Sequence, residues 1–421
     1  MFLKSATANP LRLSLLSLLL ACAPQPATTP TPTATTPAPT PTAPTVSTPA
    51  APATDPSATA EAQRIAEIPH RVVFADRITY SYVLLLPGAM LKVPTRDELD
   101  AAVREAFAKN LEDEEVVLLR GLIARPIDES PIAPDAAAQP EQDPEDDGPD
   151  GRDLLGLDIE VHARVPASGP PLIEPRMLFD PDLVRTLKPD ELASLPARNT
   201  LLVLRAQYRN QHGVRGLRLL QTLVRVIATK RGALVHDPDT LETLGPAVFA
   251  ARRLQTTLGN VADQIPIIPF ADPWHPGKFR LTTRGMRRFG SVDLELGALS
   301  GDLSVLQQGT YFLHGLALQM IELGEFDRSG FASELPPILT LHYSDCAAAY
   351  AGHPGTLPRC SACPEHVELH LVERAAEPQD AVSHVVARVV APRSRSDRGN
   401  HDAAAWAQEA LDSVLGRPPP M

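Results

Sequence analysis

The chain has 421 residues, a formal net charge of −12 at pH 7 and only 5% aromatic residues. This acidic balance argues against nucleic-acid binding, which relies on dense Lys and Arg, and against adhesion to an anionic membrane through charge. The length that follows the first 61 residues is enough for one large or two medium domains with a real core.

The first 21 residues have the features of an export signal. Lys4 and Arg12 precede a short apolar run at residues 13–20, and Ala21 supplies a small residue at the cleavage position. The run is far shorter than the roughly 18–20 apolar residues that span a bilayer, so no retained transmembrane helix is expected here.

The segment Leu19-Leu20-Ala21-Cys22 resembles the bacterial lipoprotein box. The resemblance implies that Cys22 is diacylated, with palmitate-type chains, and becomes the N-terminus of the mature protein. Two acyl chains hold a protein stably on a bilayer, so the predicted partner of Cys22 is the lipid bilayer itself. Ala23 follows the cysteine, which in enteric bacteria implies the outer membrane of the cell envelope. A soluble secretory signal, cut after the Ala21-Cys22-Ala23 triplet, is the alternative.

Residues 22–61 are predicted to be a disordered linker, because the segment is mostly Pro, Thr and Ala and has too few large apolar groups to form a core. Its prolines favour extended polyproline II, so roughly 35 residues could hold a domain up to about 100 Å from the bilayer. A second disordered segment, an acidic loop, is predicted at residues 130–153.

The apolar patterning predicts interspersed strands and helices from residue 78 onwards. Thr95 and Glu98 form a capping box that opens a helix reaching about Lys109. The Val- and Leu-rich run from Glu115 to Ile123 is typical of a strand. Further strands are predicted at 78–87, 156–165, 200–208, 233–236, 264–270, 338–343, 366–373 and 383–391, two more within 279–296, and helices at 214–231, 245–258, 302–323 and 402–415.

The irregular order of these elements favours an α+β fold, with mixed or antiparallel sheets and packed helices, over a doubly wound sheet. We expect one α+β lobe at residues 62–258, a second at 259–416 that includes a C-terminal helix, and a short tail at 417–421.

Four segments carry a family resemblance. They are Gly232-Ala233-Leu234-Val235-His236-Asp237-Pro238, Phe249-Ala250-Ala251-Arg252-Arg253, Thr283-Arg284-Gly285-Met286-Arg287-Arg288-Phe289-Gly290 and Asp293-Leu294-Glu295. This set resembles a group of predicted lipoproteins of predatory soil bacteria of the myxobacterial type, whose activity is not assigned. The resemblance supports the fold class and implies no reaction.

Three cysteines lie close together near the C-terminal end. In an exported chain, Cys346 is expected to pair with Cys360 or Cys363, closing a loop worth roughly 3 kcal/mol in the chain-entropy model. One thiol is then left over. A zinc site that combines these cysteines with His366, and a redox dithiol at Cys360 and Cys363, are the alternatives. Three further histidines are nearby, namely His342, His353 and His370.

Familiar catalytic motifs are missing from the sequence, which has no Gly-x-Ser-x-Gly elbow, no zinc-binding His-Glu-x-x-His helix and no phosphate loop. Arg284 is expected to form a cross-strand ion pair with Asp293 and Glu295, and His314 to be a hydrogen-bonded core histidine. We therefore expect a non-catalytic module that binds a protein or another component of the envelope and needs no cofactor. The alternative is a hydrolase-like envelope enzyme with a Cys/His metal site near residues 342–370.

Overall fold

The structure of the chain is a computed structural model. The described residues are 74, 77–88, 92–127, 154–163, 184–210, 213–254, 261–324, 335–353, 355–357, 366–378, 380, 384–394, 396–399 and 403–417. The predicted signal, the linker at 22–61, the acidic loop at 130–153 and three of the four cysteines (Cys22, Cys360 and Cys363) lie outside them, so those predictions stay predictions.

The first sheet is antiparallel throughout and has the strand order β2-β3-β1-β4-β5. Its long central strand carries the apolar run Val83-Leu84-Leu85-Leu86, which is buried on both faces of the sheet. The strands are β1 (Ile78–Pro87), β2 (Leu154–Ala163), β3 (Arg198–Tyr208), β4 (Leu234–His236) and β5 (Thr243–Leu244).

Two of the helices beside this sheet have a predicted end, the start of one and the termination of the other. In α1 (Arg96–Ala106), Thr95 and Glu98 form the predicted capping box. The helix α4 (Arg215–Arg231) packs its apolar stripe against β1 and β3 and ends at Gly232, which adopts a left-handed φ of 59°. A short helix, α3 (Pro189–Ser194), leads through a 3₁₀ turn into β3.

The predicted strand at 115–123 is wrong, because these residues form the helix α2 (Glu114–Ala124). The side chain of Asp113 caps its first turn by accepting a hydrogen bond from the Glu115 amide at 3.0 Å. Five apolar side chains of α2 are buried, and the helix packs against α1, α4 and β2. A short apolar run does not distinguish a buried strand from a buried helix, and tertiary packing decided in favour of the helix.

The second sheet has the order β6-β7-β8-β11-β10-β9 and is antiparallel except for the central β8·β11 pair, which is parallel. Gly285 and Gly290, both at positive φ, bracket the 3₁₀ turn that joins β7 to β8. The strands are β6 (Ile267–Ala271), β7 (Phe279–Thr283), β8 (Asp293–Leu299), β9 (Leu339–His342), β10 (His366–Arg374) and β11 (Val386–Val390).

The helix α7 (Leu303–Leu323) is buried along most of its length and packs on β8. It contacts α8 (Tyr343–Ala348) and α9 (Ala403–Leu415), while α5 (Pro246–Arg253) and α6 (Val261–Gln264) connect the two sheets along the chain. The apolar side chains of both sheets and of these helices form one continuous core. The α+β prediction, with mixed and antiparallel sheets and packed helices, is confirmed.

The close approach of α7 and α8 depends on a glycine. A Cβ atom at Gly315 would lie 2.6 Å from the Cys346 sulfur and 2.7 Å from the Cys346 backbone nitrogen. We expect Gly315→Ala to lower the free energy of unfolding by about 1–3 kcal/mol, because α8 must move away.

Gly121→Ala is the matched control, since Gly121 also lies inside a helix but has no atom within 4 Å of the added Cβ. This change should raise the free energy of unfolding by about 0.5–1 kcal/mol. Urea unfolding measures both changes, and an equal response of the two variants would contradict the packing argument.

Candidate functional site

Buried ionic groups are concentrated where the β4–β5 turn of the first sheet meets the β7–β8 turn of the second. Most of their side chains are almost fully buried, which is unusual for Arg, Asp and Glu unless they are paired. We call this set the junction cluster, and it consists of Tyr80, Tyr82, Asp237, Asp239, Glu242, Arg253, Arg287, Arg288, Asp293 and His384.

Asp237 organises the β4–β5 turn. One of its carboxylate oxygens accepts the backbone N–H groups of Asp239 and Thr240 at 3.2 and 3.4 Å, as an Asp before a turn commonly does. The same oxygen accepts the Tyr80 hydroxyl at 2.5 Å. The Asp-Pro-Asp sequence therefore forms a turn whose carboxylates face the interior.

Arg288 joins the two sheets. From the β7–β8 turn, its Nη2 donates to the second Asp237 oxygen at 2.8 Å, and its guanidinium lies over the Tyr80 ring at 4.9 Å. Its backbone carbonyl accepts the Tyr208 hydroxyl at 2.8 Å. Burial opposes the charged form, but the charge of Asp237 outweighs it and holds the pKa of Arg288 above its usual value. Gly285 leaves room for this side chain, since a Cβ there would lie 2.6 Å from Nη2.

His384 lies between two carboxylates that come from different sheets. Its Nδ1 is 2.8 Å from Asp293 of β8, and its Nε2 is 3.5 Å from Asp239 of the β4–β5 turn. Burial lowers the pKa of His384, but the hydrogen bonds and charges of Asp239 and Asp293 outweigh burial and raise it to about 9. The imidazole is therefore a cation at neutral pH and links the two sheets.

Two carboxylates of the cluster, Glu242 and Asp239, are held ionised by their neighbours. Glu242 is 2.7 Å from Arg253, and Arg252 and Arg185 approach its other oxygen from the protein surface. Burial raises the pKa of Glu242, but these arginines outweigh it and lower the pKa to about 2. Arg287 pairs with Asp239 at 2.7 Å and, with 45% of its side chain exposed, is the most solvent-exposed member.

A second buried network surrounds Glu295 on the outer face of the second sheet. Three arginines converge on this one carboxylate: Arg374 at 2.9 Å, Arg280 at 3.2 Å and Arg388 at 3.5 Å. Trp274 covers the network, with its ring 4.5 Å from the Arg388 guanidinium. The outer carboxylates Asp272, Glu377 and Asp380 pair with the same arginines.

The geometry of the junction cluster favours a structural role, in which its charges link the two sheets, over a role in proton transfer. A general base must present a free nitrogen or oxygen within hydrogen-bond reach of a substrate proton. Both ring nitrogens of His384 already face carboxylates, and Asp293 also accepts the Thr283 hydroxyl at 3.1 Å and the Met286 amide at 3.2 Å. The contacts of the described residues thus use the charges of the junction cluster to join the two sheets.

The residues predicted as a Cys/His set are spread over several places. Cys346, the single described cysteine, is buried against Gly315, and burial raises the pKa of its thiol. His353 pairs with Asp263 at 2.7 Å. Among the described members of the set, His342 and His366 lie side by side, with ring centres 5.7 Å apart. The disulfide and zinc predictions that involve Cys360 and Cys363 stay predictions.

Other site predictions can be placed more fully. His314 is a hydrogen-bonded core histidine, as predicted, with Nδ1 2.5 Å from the Tyr350 hydroxyl and Nε2 2.7 Å from the Ile265 carbonyl. Asp293 and Glu295 are both buried but have different partners. Asp293 contacts His384, whereas Glu295 contacts the arginines of the second network. Arg284 is buried beside them.

Sequence reasoning missed His384 and the buried state of Arg288. A signal was present, because two of the segments that carry the family resemblance, His236-Asp237-Pro238 and the stretch around Arg288, contact each other through the Arg288–Asp237 ion pair. For His384, no local pattern in the sequence indicates a role.

Within the described ranges, no group of three or more His, Cys, Asp and Glu side chains is arranged to hold a metal ion. The helices in the described part of the chain include none that is long and apolar enough to span a bilayer. No family model, curated protein or solved structure matches the chain.

The two charge states of His384 predict a pH-dependent stability. The folded pKa of about 9 lies above the ordinary 6.5, so the ionic contribution is complete below about pH 6.5 and is lost as the pH rises through about 9. Urea unfolding of the wild type and of His384→Gln should show a stability difference that shrinks by about 3 kcal/mol between about pH 6 and 10. A difference that is constant over this range would contradict the charged state of His384.

Proposed function

We propose that this chain is a lipid-anchored protein of the bacterial cell envelope, attached through acylated Cys22, whose folded region binds an envelope protein and does not catalyse a reaction. The outer membrane is the proposed location, with the Pro/Thr-rich segment at 22–61 as the spacer between bilayer and fold.

The anchor is supported by the order of features in the first 60 residues. A basic start, a short apolar run and a small residue precede Cys22, and a segment with almost no charge follows it. The first described strand begins at Ile78, so more than fifty residues of sequence lie between Cys22 and this strand. A spacer of this length lets a domain reach a partner away from the membrane surface.

The binding role is supported above all by the contacts of His384. Both of its ring nitrogens face carboxylates, so the most conspicuous ionisable group of the interior is used to hold two sheets together. A scaffold joined by buried ion pairs offers a rigid surface, and rigid surfaces lose little entropy when they bind.

Membrane attachment should depend on one cysteine. We expect Cys22→Ala to abolish incorporation of labelled palmitate and to release the protein from the membrane fraction, because the acyl chains have no other attachment point in the proposal. Cys346→Ala is the matched control, since its buried thiol is unrelated to the anchor, and it should behave as the wild type. Palmitate incorporation that survives Cys22→Ala would overturn the proposed anchor.

The binding role can be tested by chemical cross-linking in intact cells followed by mass spectrometry. The full chain should be linked repeatedly, through residues 74–417, to the same envelope protein. A lipidated chain that carries only residues 1–73 is the control, since it keeps the proposed anchor and spacer without the folded region. Identical cross-linked partners in the control, or substrate turnover that a chelator abolishes, would contradict the proposal and favour an envelope enzyme.

A further inference from the structure

Two histidines face each other at the edge of the second sheet. The antiparallel pairing of β9 and β10 places His342 directly opposite His366. Both residues are exposed, and their ring centres are 5.7 Å apart with the ring planes inclined by 35°. The pair lies on the face of the sheet opposite the buried Leu341 and Leu369.

We propose that His342 and His366 form a surface site for a divalent transition-metal ion. A zinc-bound imidazole nitrogen lies about 2.0–2.1 Å from the metal, so two imidazoles that share one ion have ring centres about 5–6.5 Å apart. The observed separation of 5.7 Å falls in this range without movement of the strands. Each imidazole has two nitrogens, so one can ligate while the other keeps a hydrogen-bond partner.

The surroundings of the pair are negatively charged, which favours a cation. Asp345 accepts the His342 backbone N–H at 2.8 Å, and both residues line an open groove together with Glu322. Glu368 lies two residues after His366 on β10, on the same face of the sheet. These carboxylates raise the local concentration of cations and can accept hydrogen bonds from metal-bound water.

The ligand set predicts which metals bind. Among the described residues no third side chain is arranged to ligate the ion, so two imidazoles are the ligands that this part of the chain supplies. Two imidazoles suit Cu²⁺, Ni²⁺ and Zn²⁺, with Cu²⁺ bound most tightly, whereas Mg²⁺ and Ca²⁺ require oxygen ligands. The site is independent of the proposed anchor and of the junction cluster, and a bound ion would join the edge strand β9 to β10.

The experiment uses the full chain in detergent micelles, stripped of metal with a chelator and titrated calorimetrically with Zn²⁺, Ni²⁺ and Cu²⁺. His342→Ala and His366→Ala should each weaken one binding event by about tenfold or more, and the double variant should bind no more tightly at this site than either single variant. His353→Ala is the matched control, because His353 is also exposed but pairs with Asp263, and it should leave binding unchanged.

Metal should also raise the melting temperature of the wild type and of His353→Ala but not of the two site variants, because an ion that binds only the folded state stabilises it. His366→Gln controls for altered pairing of β9 and β10, because it keeps a polar side chain at this position. It should lose metal binding just as His366→Ala does. Binding within about twofold of the wild type in either single variant would overturn the proposal.

Discussion

The arrangement of the two sheets depends on the buried ion pair between Arg288 and Asp237. Apolar contacts alone are non-directional. They favour burial of both sheets, but they do not determine that the β4–β5 turn packs against the β7–β8 turn. A fully buried guanidinium is different, because it costs several kcal/mol to desolvate unless a carboxylate and hydrogen-bond acceptors lie at fixed positions around it. Asp237, the Tyr82 hydroxyl and the Gly285 carbonyl supply these positions from both sides of the junction. We infer that the Arg288–Asp237 pair fixes the arrangement of the sheets more than it adds stability. Apolar side chains of similar volume could give equal stability, but they would allow the two sheets to pack in more than one arrangement.

The outer face of the second sheet extends the same principle. Its strands alternate between apolar side chains that pack on α7 and α9 and charged side chains that face the other way, as Leu294, Glu295 and Leu296 show. The charged face is nevertheless buried, so its charged side chains need ionic partners in the interior. Gly297 illustrates how closely the groups fit, because a Cβ there would lie 1.8 Å from the Arg388 guanidinium. Both faces of this sheet therefore constrain the sequence, although only one of them is hydrophobic.

Local patterns predicted most of the fold, whereas the site depends on contacts that are distant in sequence. The helix α4 follows from apolar residues at three- and four-residue spacing and a terminal glycine, both of which are local. The strand prediction at α2 was wrong because a run of Val and Leu is compatible with a buried strand and with a buried helix. Only the packing of this segment against β2 decides between the two. The junction cluster is harder still. His384 and Asp239 are far apart along the chain, and Arg, Asp and His side chains are ordinarily expected at the surface, so no periodicity signals their burial.

The ionic junction also suits the proposed location outside the cytosol, where the pH is less controlled. The charges of Glu242 and His384 remain in place over a wide pH range. The arginine neighbours of Glu242 lower its pKa to about 2 against the effect of burial, and Asp239 and Asp293 raise the pKa of His384 to about 9. The ordinary values of about 4.3 and 6.5 would leave a much narrower range in which both groups are charged. The shift of the His384 pKa arises from the same contacts that join the sheets, so geometric specificity and tolerance of changing pH share a physical cause at this residue. The proposed tethered module would be exposed to its surroundings and would need both properties to keep one binding surface intact.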